Sequence, residues 1–238
     1  YCGGAIYINE IFESFEIDSC RFINSINNVA KVGGAIYIGN KLENTVSITN
    51  TNFTNIDALD NINDNGCAIF IQKGITCDID VQRCIFLDCG TKGCVICTNC
   101  QTFLFKNSTI TFTSQNSANR GILINTICKI EIVGVAISNC FTNNGGSSLF
   151  YEDSNLDSTG VENISIIDLI IDNCESSLTD NGRAIHFIFK SQNIYFYNLT
   201  IQHIKRSGGY IVTFAQRDKT PQYLICLDKC HFIDCRTN

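Results

Sequence analysis

Apolar and polar residues alternate in short runs along the whole chain, and one of these runs returns at a nearly constant interval. The hexapeptide GGAIYI at residues 3–8 recurs at residues 33–38, and weaker copies follow. Aligned on the central apolar residue, the copies fall at Ile6, Ile36, Ile69, Ile96, Leu123, Leu149, Ile185 and Ile211. The seven intervals span 205 residues, about 29 residues each, which lies in the range of solenoid repeats.

A second block lies between successive copies and contains two apolar residues five positions apart. These pairs are Ile17 and Phe22, Ile48 and Phe53, Val81 and Phe86, Phe105 and Ile110, Ile132 and Ile137, Ile166 and Ile171, Phe196 and Ile201, and Leu227 and Phe232. Two residues after each pair comes Asn24, Asn55, Asp88, Phe112, Asn139, Asn173, His203 or Asp234. Most of these are polar residues that favour tight turns. The fixed internal spacing predicts eight equivalent units.

Short β-branched runs with a period of two are typical of strands, and a helical period is nowhere sustained. We therefore predict an all-β fold, a right-handed parallel β-helix (solenoid) of about eight coils, formed by residues 1–238 as a single domain. Ile, Leu and Phe would form interior columns, while Asn and Gly would occupy corners because they tolerate left-handed backbone conformations. A β-sandwich is the alternative, but its hairpins would not need eight copies of one motif.

The composition agrees with a packed β protein. The 238 residues include 37 Ile and 27 Asn, 45% are hydrophobic and 17% are charged, which excludes a disordered chain. The net charge of −6 argues against nucleic-acid binding. No apolar run is long enough for a membrane-spanning helix, so none is expected.

Both ends of the sequence lie inside the repeat pattern. The chain contains no Met, and neither end carries the atypical capping element that terminal coils of solenoids normally have. We expect either a segment of a longer protein or copies that stack end to end through a heterologous contact that does not close.

The repeat has a counterpart in a known family. Residues 22–36, which join FINS at 22–25 to GGAI at 33–36, resemble the repeat of polymorphic outer-membrane-protein-like β-helices. That repeat links an F-x-x-N element to G-G-A followed by Ile, Leu or Val, and FTNNGG at 141–146 is a second match. The resemblance implies a surface-exposed, adhesin-like β-helix and supplies no catalytic residues. The high cysteine content departs from the family pattern.

The 15 Cys are unusual for a reducing compartment and favour an extracellular one. Residues that share a column on adjacent coils lie about one strand spacing apart, which is within disulfide reach. The candidate pairs are Cys140 with Cys174 and Cys67 with Cys94 between coils, and Cys84 with Cys89 and Cys230 with Cys235 within a coil. Alternatively, these cysteines are small buried apolar residues. The odd count and the position of Cys2 predict that one cysteine bonds to a neighbouring subunit or segment.

No metal or cofactor is predicted. Cys94, Cys97 and Cys100 have the C-x-x-C spacing of zinc or iron–sulfur sites, but residues three apart on a strand point to opposite faces. No compact fourth ligand follows them. The aspartates of segment 57–64 lack the Gly and the final Glu of an EF-hand, so we interpret this segment as an acidic solvated loop.

Glycosylation sequons begin at Asn52, Asn107, Asn163 and Asn198. About four sequons are expected by chance in a chain this rich in Asn, Ser and Thr, so their number is uninformative. Their placement is more useful, because Asn107 and Asn198 share one corner position of their coils. All four are candidate glycosylation sites if the chain follows a eukaryotic secretory route.

Catalysis has weak support in the sequence. Parallel β-helices include pectin-degrading lyases and galacturonases, whose chemistry needs carboxylates on neighbouring coils beside Arg, Lys or His. His186, His203 and His231 are scattered, and we predict that each is a solvated or corner residue. Asp168 and Asp172 share one coil, and the next coil offers no second carboxylate there.

The sequence therefore favours a structural building block of an extracellular filament or cell-surface appendage, which associates with itself head to tail. Residues 57–65, 151–162 and 216–223 interrupt the repeat and are predicted loops for contact with glycans or other cell-surface ligands. A carbohydrate-active β-helix enzyme, such as a polysaccharide lyase or glycoside hydrolase, is the alternative.

Overall fold

A computed structural model describes residues 4–8, 14–23, 26–27, 34–39, 45–58, 68–72, 77–89, 95–97, 100–113, 120–124, 129–142, 146–152, 163–176, 184–189, 193–206, 210–216 and 224–237. Every regular element in these residues is a β-strand, and none of them forms a helix. The strands are numbered along the chain and build two large parallel sheets, A and B.

Sheet A takes one short strand from each repeat. In spatial order it contains β1 (Ile6–Ile8), β5 (Ile36–Ile38), β9 (Ile69–Ile71), β12 (Val95–Cys97), β15 (Ile122–Ile124), β18 (Leu149–Glu152), β21 (Ile185–Phe189) and β25 (Val212–Gln216).

Sheet B has two halves, and β16 and β19 run through both of them. The first half contains β2 (Phe15–Asp18), β6 (Val46–Thr49), β10 (Asp78–Gln82), β13 (Thr102–Lys106), β16 (Lys129–Ser138), β19 (Asn163–Asp172), β22 (Asn193–Tyr197) and β26 (Ile225–Asp228). The second half adds β3 (Arg21–Ile23), β7 (Asn52–Thr54), β11 (Ile85–Leu87), β14 (Thr109–Thr111), β23 (Thr200–Gln202) and β27 (His231–Ile233). Three small parallel pairs are β4 (Ile26–Asn27) with β8 (Asp57–Ala58), β17 (Phe141–Thr142) with β20 (Glu175–Ser176), and β24 (Lys205–Arg206) with β28 (Arg236–Thr237).

Neighbouring strands in both large sheets come from successive repeats and run parallel. A chain that adds a strand to each sheet in every repeat is a parallel β-solenoid. The predicted fold class is therefore confirmed: the described chain is all-β, and its parallel strands stack as a solenoid.

The register of sheet B confirms the sequence alignment of the second block. Ile17 aligns with Ile48, and the same column continues from strand to strand as far as Leu227. The column that starts at Phe22 likewise continues to Phe232. The five-residue spacing in the sequence thus identified two interior columns of the solenoid.

In sheet A the sequence alignment is wrong by one residue at three strands, at Ile96, Leu123 and Ile211. The observed column is Ile6, Ile36, Ile69, Val95, Ile122, Leu149, Ile185 and Val212. A shift of one residue moves a side chain to the opposite face of a strand. The pattern could not resolve the shift because β12 and β15 are apolar at every position, so alternation does not distinguish their faces.

Each coil turns between the two halves of sheet B through one residue with a left-handed backbone, at φ values from 48° to 63°. These first-corner residues are Ser19, Asn50, Arg83, Asn107, Gly134, Asp168, Asn198 and Lys229. At Gly134 a Cβ atom would lie 2.7 Å from Oδ1 of Asn107, so the Asn107 side chain fills the space that glycine leaves. The corner therefore stacks from coil to coil like the strands.

A second corner follows the second half of sheet B and has the same left-handed geometry. Its residues with positive φ are Asn55, Asp88, Asn139, Asn173, His203 and Asp234. The predicted placement of Asn at corners is therefore confirmed, and Asp88 and Asp234 occupy the same position. Phe112 is the exception in the described residues, because it is buried and lacks a positive φ.

The apolar columns form one continuous core inside the solenoid. Phe22 stacks on Phe53 at 5.1 Å between ring centroids, and Phe53 stacks on Phe86 at 4.8 Å, with the rings within 5° of parallel. Such like-on-like stacking follows from the translational repeat, which brings the same position of each coil above the last.

His186 is buried rather than solvated or at a corner, which corrects the prediction made from the sequence. Its ring stacks on Phe150 of the preceding coil at 5.3 Å, and the Arg120 guanidinium lies 4.6 Å from the centroid of the same Phe150 ring. Burial, and secondly the positive charge of Arg120, hold the pKa of His186 below its ordinary value of 6.5.

Ile48→Ala should lower the free energy of unfolding by roughly 2–5 kcal/mol, because it empties a fully buried position. Ile85→Ala is the matched control: Ile85 lies on the adjacent coil, is 48% exposed, and should cost less than about 1 kcal/mol. Urea unfolding monitored by circular dichroism measures the free energy of unfolding of both variants. Equal losses would contradict the assignment of the interior face.

The pH dependence of stability tests the burial of His186. Below pH 6.5 the unfolded chain binds a proton at His186 that the folded chain resists, so acidification toward the lowered folded pKa removes stability. His186→Phe keeps the ring stack and should reduce the fall in melting temperature between pH 7 and pH 5, which lie on either side of the ordinary pKa of 6.5. His231→Asn, at an exposed position, serves as the control. An unchanged pH dependence in His186→Phe would refute this account.

Candidate functional site

The residues considered for catalysis form one pair that the sequence did not reveal. His203 Nδ1 lies 2.7 Å from Asp172 Oδ1 of the preceding coil, and both side chains are partly exposed. His203 itself occupies the second corner, as predicted for a corner residue. The corner position of His203 was the signal available in the sequence for this pair. A corner residue lies diagonally above the residue that precedes the corner of the preceding coil, which here is Asp172.

The other carboxylate of that coil serves the first corner. Asp168 has a left-handed backbone, and its Oδ1 accepts a hydrogen bond of 2.7 Å from Nδ2 of Asn198. Asp172 instead pairs with His203, so the two aspartates act in separate corner ladders. Within the described residues, no group of three or more His, Cys, Asp or Glu side chains could hold a metal ion.

The sequon asparagines differ in exposure. Asn107, Asn163 and Asn198 are exposed, whereas Asn52 is partly buried within β7 beside the fully buried Phe53. Asn163 accepts a long hydrogen bond of 3.4 Å from Asn193, and Asn198 binds Asp168 as described above. Three of the four candidate glycosylation sites therefore lie at the surface, and their use stays a prediction.

Six of the cysteines proposed for disulfides carry no disulfide bond in the structure: Cys84, Cys89, Cys140, Cys174, Cys230 and Cys235. The thiols of the first two donate to carbonyl oxygens of the preceding coil, Cys84 to Ile48 at 3.4 Å and Cys89 to Phe53 at 3.5 Å. The structure contains neither of the proposed bonds within a coil, Cys84–Cys89 and Cys230–Cys235, and both pairings stay predictions.

The two column-mates Cys140 and Cys174 lie against each other but are not bonded. The backbone N–H of Cys140 donates to Sγ of Cys174 at 3.3 Å, and both side chains are fully buried. The predicted column is therefore correct, while the predicted bond is absent from the structure. Cys2, Cys67 and Cys94 lie outside the described residues, so their predicted pairings do too.

The predicted recognition loops also fall largely outside the described residues. Of the segments 57–65, 151–162 and 216–223, only residues 57–58, 151–152 and 216 are described. These residues belong to strands β8, β18 and β25, so the predicted loop boundaries are wrong at these positions.

Of the C-x-x-C motif considered for a metal, Cys100 is described and buried, whereas Cys94 is not described.

The last described coil exposes apolar side chains whose columns are interior in the preceding coils. Leu227 and Phe232 are 52% and 50% exposed, although their neighbours in the same columns, Phe196 and Ile201, are buried. Leu224 beside them is exposed as well. Among the described strands, β26 and β27 pair on one side only, with β22 and β23, so each has one free backbone edge.

The first described coil has a matching edge. Strands β2 and β3 pair only with β6 and β7 among the described strands. Phe15 and Phe22 are partly buried at this edge, and Ile17 is buried. We name the edge of β2 and β3 the first face and the edge of β26 and β27 the last face.

Comparison of the chain with protein-family models, with curated proteins and with solved structures found no match. No helix in the described residues is long and apolar enough to cross a membrane.

Proposed function

We propose that this chain is a structural building block of an extracellular filament or cell-surface appendage, in which copies stack head to tail through the last face of one copy and the first face of the next. The half-exposed interior side chains Leu227 and Phe232 carry this proposal. They occupy columns that are buried in the interior coils, and a further coil would bury them in the same way.

The columns support a head-to-tail order. Continuation of the register would set Phe232 on Phe22 of the next copy and Leu227 on Ile17, extending two columns by one step. The Phe22 column already contains parallel ring stacks at 4.8 and 5.1 Å. The free backbone edges would pair in the parallel ladder that joins every other coil, which removes the exposed edges.

The polar ladder at the first corner indicates what the same register would place beside the last coil. In the first coil the Asp18 carboxylate accepts hydrogen bonds from Thr49 and Asn50 of the second coil, at 2.5 and 2.6 Å. These bonds, led by the one from Thr49, hold the pKa of Asp18 below its ordinary value. Asp228 is the corresponding residue of the last coil. In a head-to-tail stack Asp18 of the next copy would take the position of Thr49 beside it, and Ser19 would take the position of Asn50.

The composition supports an extracellular location for the proposed assembly. Fifteen cysteines and three exposed sequon asparagines suit an oxidising secretory route. In this proposal the loops 57–65, 151–162 and 216–223 supply adhesion to glycans or other cell-surface ligands, since loops on a rigid scaffold commonly carry recognition.

A carbohydrate-active enzyme is the competing function, and one observation favours it. The exposed pair of Asp172 and His203 joins a carboxylate to a proton carrier on adjacent coils, and Tyr195 and Tyr197 are exposed on the outer face of β22. We rank it second, because Asp168, the other carboxylate of that coil, is held in the first-corner ladder by Asn198.

Charge substitution on the last face tests the filament. The double variant Leu227→Lys, Phe232→Lys should abolish assembly, because an unpaired charge buried at the junction costs roughly 3–5 kcal/mol, more than about a hundredfold in affinity. Negative-stain electron microscopy and sedimentation, both under reducing conditions, measure filament assembly. The unmodified chain should form filaments with an axial repeat of roughly 40 Å, from eight coils at strand spacing.

Ile170→Lys is the matched control, because Ile170 is 46% exposed on the outer face of sheet B, away from both end faces. It should assemble like the unmodified chain. Circular dichroism of every variant verifies the fold. Dispersed monomers of the unmodified chain, or filaments of the double variant, would refute the proposal.

A further inference from the structure

One column of the solenoid carries a cysteine at both of its described ends. This turn column consists of the residue that directly follows each first corner, namely Cys20, Thr51, Cys84, Ser108, Val135, Leu169, Leu199 and Cys230. Cys84 is buried, whereas Cys20 is exposed and Cys230 is partly exposed. The two reachable thiols of the column therefore lie on opposite faces, Cys20 on the first face and Cys230 on the last.

The polar side chains of the turn column point in the same direction. Each donates to the carbonyl oxygen two residues earlier, as Thr51 does to Thr49 at 2.7 Å. Cys20 donates to Asp18 at 3.3 Å, and Cys230 faces the carbonyl oxygen of Asp228 at 3.7 Å. The terminal thiols thus already have the orientation that the interior members have.

Adjacent members of the turn column also touch in a constant way. The backbone N–H of Cys20 donates to Oγ1 of Thr51 at 3.4 Å, and that of Cys84 donates to Oγ of Ser108 at 3.0 Å. Each side chain therefore lies against the backbone of the preceding member. In a head-to-tail stack, the Cys20 thiol of the next copy would lie in this manner against Cys230.

We propose that a disulfide between Cys230 of one copy and Cys20 of the next locks the head-to-tail junction. This inference rests on the proposed stacking and deepens it. Cross-strand neighbours lie about 4.8 Å apart, within the Cα separation of 4.4–6.8 Å that disulfides adopt. Of the other described cysteines on the last coil, Cys226 would instead face Glu16 of the next copy.

The bond forms by thiol–disulfide exchange with a disulfide oxidant such as glutathione disulfide. The exposed Cys20 thiolate attacks one sulfur of the oxidant, releases one glutathione and leaves a mixed disulfide. The Cys230 thiolate of the neighbouring copy then attacks the Cys20 sulfur and releases the second glutathione. The two cysteines together lose two protons and two electrons, and the oxidant gains them.

The test uses the whole chain, fully reduced and then transferred to a glutathione–glutathione disulfide buffer. Non-reducing gel electrophoresis should reveal a ladder of covalent multimers that reductant collapses to monomer. Cys20→Ser and Cys230→Ser should each lose the ladder while keeping the fold, since Ser108 shows that the turn column accepts serine. An equimolar mixture of the two variants should yield covalent dimers and nothing larger, because only one matched thiol pair remains.

Cys226→Ser, Cys235→Ser and Cys2→Ser are the controls and should retain the ladder. Electron microscopy of reduced and oxidised samples separates this inference from the proposed function. Filaments without a covalent ladder, or a ladder that survives in Cys20→Ser, would overturn the disulfide and leave the stacking in place. Absence of filaments under both conditions would overturn both.

Discussion

The single left-handed residue between the two halves of sheet B sets the register on which every other feature of the solenoid depends. Its backbone N–H pairs with the next coil, as from Ser19 to Thr49 at 3.2 Å and from Asn107 to Val133 at 2.8 Å. An inserted residue on either side would exchange the interior and exterior faces of the following strand. The spacing of five residues across this corner is therefore constant in all repeats, while the connections elsewhere vary in length.

The same constraint explains which parts of the fold the sequence could predict. In β6 and β7 the outer face is polar, so Ile48 and Phe53 mark the interior. Where the outer face is apolar, as at Ile85 in β11, the constant spacing of five residues across the first corner identifies the interior column instead. Sheet A lacks this contrast: β15 consists of three apolar residues, all of them buried, and its register was misassigned. Periodicity identifies a face only where the two faces differ in polarity.

The site residues follow a similar division. Columns such as Cys140 with Cys174 could be inferred from spacing, because they depend only on the repeat. The pair of Asp172 and His203 could not, because it is a diagonal contact between a strand residue and a corner residue of the next coil. The burial of His186 was also beyond the sequence pattern, since it depends on the stack that Arg120 and Phe150 form with it.

In the proposed filament, the repeated coil would give each end face nearly the same chemistry as the interior, which favours head-to-tail contact. Head-to-tail contact keeps the strands parallel and sets like residues in one column, as with Phe22 on Phe53 inside the chain. Contact between two last faces would reverse the strands and separate the columns.

The proposed head-to-tail order would also bring Asp228 opposite Asp18 of the next copy, which opposes association. Asp18 is, however, already bound by Thr49 and Asn50 of its own copy, and its carboxylate points toward them. The repulsion across the proposed junction would consequently be reduced, and screening by salt would weaken it further. In such a stack the apolar columns and the backbone ladder would determine the affinity, so head-to-tail assembly should strengthen as ionic strength rises.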